Sequence, residues 1–209
     1  MSVKDQHSNP CRPCKAAHSH IDLDSTMKHP LYGGALSCEI PRGFADVSEF
    51  RQVPDNQEVF AEAATDRCII VELLELEASV SGTATSEFYF HEIAESNNCA
   101  PNDCTILQTL LVTEQDIPGL ATTAFVTIGK QCVAKFKEAS KNTMQLYVCC
   151  VRLPNVSTDL VISVTVPLQL HPSSSSSRDA PIATNADEGQ LILKGLLRTL
   201  EVHDWGLFQ

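Results

Sequence analysis

Apolar positions recur at two different periods along this chain of 209 residues. Beyond residue 104, four stretches are rich in Val, Ile, Thr and Leu: 105–113, 121–137, 143–153 and 158–170. β-Branched and aliphatic residues in runs of this kind predict strands. Pro118-Gly119, Lys141-Asn142 and Pro154-Asn155 separate them at spacings short enough for antiparallel hairpins. Upstream, residues 35–40 read as a strand closed by Pro41 and Gly43, and residues 57–60 as another. The run 68–77 is a strand that places Ile70, Glu72, Leu74 and Leu76 on one face and Ile69, Val71, Leu73 and Glu75 on the other. Apolar residues on both faces predict a strand covered on both sides.

The second period is helical. In 85–97, Phe88, Tyr89 and Ile93 recur with Ala84 at helical spacing while Glu87, Glu92 and Glu95 face water. In 187–202, Leu191, Ile192, Leu196, Leu197 and Leu200 mark one face. Residues 46–50 form a short helical turn that Asp46 or Ser48 can cap. Strands in a run with helices before and after predict an α+β fold: a three-layer α/β/α sandwich around a central, mostly antiparallel sheet of about six strands.

Residues 1–28 are polar, carry Pro10 and Pro13, and keep no apolar period, so they read as a disordered polar leader. Residues 29–209 read as a single domain, of a size that one core can serve. Within it, 171–186 contains five consecutive serines and is expected to be a flexible loop. No run of eighteen apolar residues occurs, and the first thirty residues lack a signal-peptide core, so neither membrane insertion nor secretion is expected.

The net charge of −11 is concentrated. Residues 46–95 hold twelve acidic side chains against Arg51 and Arg67, a net of −10. Such a field repels phosphate backbones and speeds encounter with a basic protein surface, so nucleic acid is not an expected partner. Nine cysteines, an odd number with several inside apolar runs, read as reduced residues and not as a disulfide framework.

Two rival chemistries are weighed against this picture. Cys11, Cys14, His18 and His20 offer two thiolates and two imidazoles, the donor set of a tetrahedral zinc site. Against zinc, Pro13 lies between the thiols, the spacings match no common finger, and no apolar residues are at hand to pack over a metal. The chain also lacks a Gly-x-Ser-x-Gly elbow, a phosphate-cradling glycine loop and a His-Glu-x-x-His pair, so neither an enzyme nor a cofactor is expected.

The run Gly33-Gly34-Ala35, then Asp46-Val47-Ser48, then Arg51 through Phe60 (RQVPDNQEVF), then Ile70 through Glu75 (IVELLE) closely resembles the Ran guanine nucleotide release factor family. The resemblance is strong over residues 29–78 and weaker in layout through the carboxyl terminus. It implies an antiparallel sheet between helix layers, a fold shared with an extrinsic subunit of photosystem II. It further implies a monomer working in nucleus and cytoplasm that binds the GTPase Ran and promotes nucleotide release, supporting nucleocytoplasmic transport. Carried over by motif, the Ran-binding residues are Asp46, Asp55 and Glu58, with Asn56 and Gln57 between them.

The residues themselves suggest how. Pro54 fixes its own backbone and biases Val53 toward an extended shape, while Asp55 and Asn56 are turn formers, which makes a stiff corner. If that corner is turn-like, the three-residue spacing brings Asp55 and Glu58 to one side. Near the end, His203-Asp204-Trp205-Gly206 is expected to dock the carboxyl terminus onto the sheet edge.

Overall fold

The alternation along residues 146–151 decides the architecture. In the computed structural model, which describes residues 25–134, 140–173 and 185–208, Leu146, Val148 and Cys150 join one buried cluster while Tyr147, Cys149 and Val151 join another. Successive side chains of a strand point to opposite faces, so this strand lies inside a sheet packed on both sides.

Among the described residues the order is β1 (Thr26–Leu31), β2 (Leu36–Pro41), β3 (Ala45–Asp46), β4 (Gln57–Glu62), β5 (Arg67–Glu75), α1 (Ala84–Ser96), β6 (Cys104–Val112), β7 (Ala124–Ala134), β8 (Lys141–Leu153), β9 (Thr158–Gln169), α2 (Ala186–Thr199) and β10 (Glu201–Val202). Seven strands form one sheet in the order β3-β4-β5-β9-β8-β7-β6, and β1-β2-β10 form a smaller one. Every pairing is antiparallel. Helix α1 packs over β6, β7 and β8 through Tyr89 and Phe90, and α2 packs on the opposite face against β8, β9 and β2.

The three-layer α+β sandwich expected from the pattern is therefore present, with seven strands in the main sheet instead of about six and a second small sheet beside α2. Three strands escape the pattern for physical reasons. β1 starts at Thr26, ahead of the boundary expected at His29, and only Leu31 of it is fully buried, so it carries no apolar period. β3 is two residues long. The helix expected to reach residue 202 ends at Thr199, because Leu200 turns to an extended conformation and β10 then pairs with β2. Lys141-Asn142, read as a separator, lies inside β8.

Two buried ion clusters fasten the layers. Asp159 is fully buried on β9, where it accepts hydrogen bonds from Arg152 Nε and Nη2 (both 2.8 Å), the Tyr89 hydroxyl (2.7 Å) and the Glu77 backbone N–H (3.1 Å). Arg152 also donates to the carbonyls of Glu77 and Val80, which pins the segment leading into α1. On the other face, buried Arg67 pairs with Glu62 and with Glu188 in the first turn of α2. The seven cysteines in the described residues are free thiols, and no described helix is long and apolar enough to cross a membrane.

Candidate functional site

The polar run Arg51 through Glu58 folds into a corner at one end of the main sheet. Gln57 donates its backbone N–H to the Pro54 carbonyl (2.9 Å), closing a turn with Asp55 and Asn56 at its two central positions, and β4 starts at once. Asp55 is exposed at the tip and makes no hydrogen bond or ion pair with the described residues.

Glu58 sits one step into β4, half-buried, and its Oε1 accepts the backbone N–H of Tyr32. Burial pushes its carboxyl above the ordinary range, the Tyr32 N–H pulls the other way, and the nearby charge of Asp46 adds to the rise. Asp46 is brought close because β3 pairs with β4, Asp46 opposite Phe60. Asp46 also caps the short turn Val47–Glu49, its Oδ1 accepting the Ser48 N–H at 2.8 Å. The fold thus gathers Asp46 and Glu58, with Asp55 on the turn that leads into the same strand.

Asn56 and Gln57 point their amides inward along the chain. Both donate to Glu72 Oε1 on β5, at 3.3 and 2.8 Å, and Asn56 also reaches the Leu73 carbonyl at 3.2 Å. They hold the corner to β5 and orient Glu72.

Tyr32 is the member that sequence reasoning missed. It follows β1 at φ +49°, a left-handed conformation that a bulky side chain adopts only when its surroundings enforce it. The enforcement is visible: its N–H is held by Glu58, and its hydroxyl lies within reach of the carbonyls of Val71 (2.8 Å) and Asn56 (3.0 Å). One residue therefore joins the small sheet, the corner and β5. The available signal was an aromatic residue directly before Gly33-Gly34.

No lysine or arginine of the described residues forms an ion pair with Asp46, Asp55, Glu58 or Glu72. Asp55 is exposed, and Glu58 and Glu72 are half-buried.

Other candidate chemistry is less well built. Ser37 Oγ lies 2.7 Å from His203 Nε2, and Glu201 Oε2 lies 3.7 Å from the same nitrogen. A relay needs the acid on the other ring nitrogen, and here Glu201 is also paired with Lys28 at 2.6 Å. This grouping fastens β10 and the carboxyl-terminal segment to β2; Leu207 and Phe208 pack on the core, while Trp205 stays 48% exposed. Cys11, Cys14, His18 and His20 lie outside the described residues, as does the serine run from Ser174 onward. Among the described residues no three His, Cys, Asp or Glu side chains are grouped to hold a metal.

Comparison with known proteins adds a second line of observation. The family model described as "Ran-interacting Mog1 protein" matches residues 29–167. The chain is 36% identical over 187 residues to the Ran guanine nucleotide release factor of Danio rerio, covering 87% of this chain and 100% of that one. It is 33% identical over 186 residues to the Homo sapiens protein of the same name, covering 89% and 98%. The crystal structure of the Saccharomyces cerevisiae Ran-binding protein Mog1p superposes with a TM-score of 0.67 at 29% identity, covering 88% of this chain and 99% of that chain.

Proposed function

Since the chain belongs to the Ran-interacting Mog1 family, we propose that it binds the small GTPase Ran and promotes release of its guanine nucleotide, in support of nucleocytoplasmic transport. The observation that carries this reading is an acidic corner, exposed at Asp55, whose carboxylates form no ion pair with a lysine or arginine among the described residues. Relatives of this chain are named Ran guanine nucleotide release factors, and others nuclear import proteins. The reading takes the chain as one domain acting as a monomer in nucleus and cytoplasm, a regulator without a catalytic site of its own.

In this reading Asp55 and Glu58, with Asp46 beside them, engage basic groups of Ran. A carboxylate already fixed by its own backbone costs little entropy to present, and each charge-assisted bond to a desolvated lysine or arginine contributes about 1.5–3 kcal/mol. Release follows by linkage. A protein that binds nucleotide-free Ran more tightly than loaded Ran must weaken the nucleotide by the same factor. A tenfold effect needs only about 1.4 kcal/mol of differential binding.

The test is the rate at which Ran loaded with a fluorescent guanine nucleotide loses it as the protein is titrated in. Acceleration that saturates is the expected result. An unchanged rate at saturating protein, with binding retained, would reassign the chain to a Ran adaptor without exchange activity.

A further inference from the structure

One face of β5 is left half-covered. Ile69 and Val71 are buried toward the α2 layer, whereas Cys68, Ile70, Glu72 and Leu74 on the opposite face remain partly exposed. On that side α1 packs over β6, β7 and β8, away from β5 and β4. The apolar pattern of 68–77 predicted cover on both faces, and one face departs from that expectation. What remains is a groove of about 370 Å³ with Ile70, Leu146 and Val161 on its floor and Ile93 and Ser96 of α1 along its wall. A second hollow of about 190 Å³ continues it past Leu74 to Glu92, sharing Glu72 and Val161. Apolar surface left open inside a polar rim is characteristic of an interaction site.

The charge of the groove says what would cover it. Its described lining residues include Asp66, Glu72 and Glu92 and no lysine, arginine or histidine. At the Cys68 end the charge of Asp66 is countered by Arg51, and at the other end stand Glu72 and Glu92. The amides of Asn56 and Gln57 both meet Glu72 Oε1, and Oε2 takes no hydrogen bond from the described residues. One oxygen is anchored and the other is left for a guest.

We propose that this groove seats an arginine side chain from the protein partner, with its methylene stem on Ile70 and Val161 and its guanidinium on Glu72 Oε2. An arginine matches both halves of the site, an apolar stem and a weakly hydrated planar cation suited to a carboxylate. Asn56 and Gln57 are then positioning residues: they fix Glu72 before the partner arrives, which lowers the entropy lost on binding. The partner identity rests on the Ran reading above; the chemistry of the groove does not.

Two measurements on the full chain test this. In the first, N-acetyl-arginine amide is titrated in while backbone amide resonances of Ile70, Glu72 and Val161 are followed by NMR. Saturable shifts are expected with the arginine compound, absent with its uncharged citrulline isostere, and absent in Glu72→Gln, whose amide oxygen can still accept from Asn56 and Gln57. Equal shifts from both compounds, or none from either, would overturn the proposal. In the second, Ran affinity is measured for Glu72→Gln and for Ser96→Arg, an exposed substitution that sets a competing cation on the groove wall. A loss of tenfold or more in both, at unchanged melting temperature, is expected; unchanged affinity in both overturns the proposal. If the unaltered protein does not bind Ran at all, the proposed function fails, and the arginine titration still decides the groove.

Discussion

Asp159 and Glu58 are both carboxylates lodged against the main sheet, and their surroundings drive them in opposite directions. Burial alone would raise Asp159, yet the hydrogen bonds of Arg152, Tyr89 and Glu77 more than offset it, and its carboxyl ends below the ordinary range. Burial also raises Glu58, but there the compensating donor among the described residues is the Tyr32 N–H, and Asp46 adds a like charge, so it ends above the range. A charge surrounded by its own cation and donors serves the fold. A charge held half-buried beside another of the same sign, with no ion-paired cation among the described residues, costs the fold something, and under the proposed function a partner supplies the missing positive charge.

The sharpest way to break this comparison is at Asp159. Asp159→Ala leaves the partly buried Arg152 without its carboxylate and the Tyr89 hydroxyl without its acceptor, and removing one member of a buried pair costs at most about 3–5 kcal/mol here. Chemical denaturation should register that loss, while Ran affinity of the folded protein should fall less than it does for Glu58→Gln, since Asp159 makes no hydrogen bond or ion pair with Asp46, Asp55 or Glu58. Glu58→Gln should do the reverse. The amide oxygen can still accept from Tyr32, so stability should hold or rise slightly, whereas one charge-assisted contact worth about 1.5–3 kcal/mol disappears and Ran affinity falls about tenfold to a hundredfold. Calorimetric titration against purified Ran measures the second, thermal unfolding the first.

A smaller effect sharpens the role of Tyr32. Tyr32→Phe removes a hydroxyl that binds the carbonyls of Val71 and Asn56. A neutral hydrogen bond contributes about 1 kcal/mol. Ran binding should weaken by no more than severalfold, with faster hydrogen exchange at the 54–57 turn as the local readout. The smallest effect is in pH. Asp159, with its folded pKa depressed, adds stability that is fully present above the unfolded value and is lost as pH falls through the lower folded value. Glu58, raised above its usual 4.5, costs stability at neutral pH that is relieved as pH falls through the higher folded value. Acidification should therefore weaken Ran binding before it unfolds the protein, and parallel binding and unfolding curves at stepped pH would show that order.

Much of this was legible in the residues. The long apolar runs of β8 and β9 and the leucine face of α2 are strong periodic signals because whole faces of them enter one core. The corner was legible from Pro54, Asp55 and Asn56, which carry turn chemistry locally. What escaped depends on partners distant in sequence. β3 and β10 are two residues each and exist through their pairing with β4 and β2. The proximity of Asp46 to Glu58 follows from that short β3 pairing, and the grip of Tyr32 spans separations of 24 to 39 residues. The open face of β5 was hidden for another reason: periodicity reports that a face is apolar, and where α1 lands decides whether anything in the chain covers it.

The most direct test combines Asp55→Lys with Glu58→Gln and reads Ran affinity and melting temperature on the same preparation. Two contacts of about 1.5 kcal/mol or more each put the expected loss of affinity at about a hundredfold or greater, with the melting temperature held near that of the unaltered chain. Full Ran affinity in this variant, or a loss that merely tracks a collapse in melting temperature, would contradict a corner held out for a basic partner.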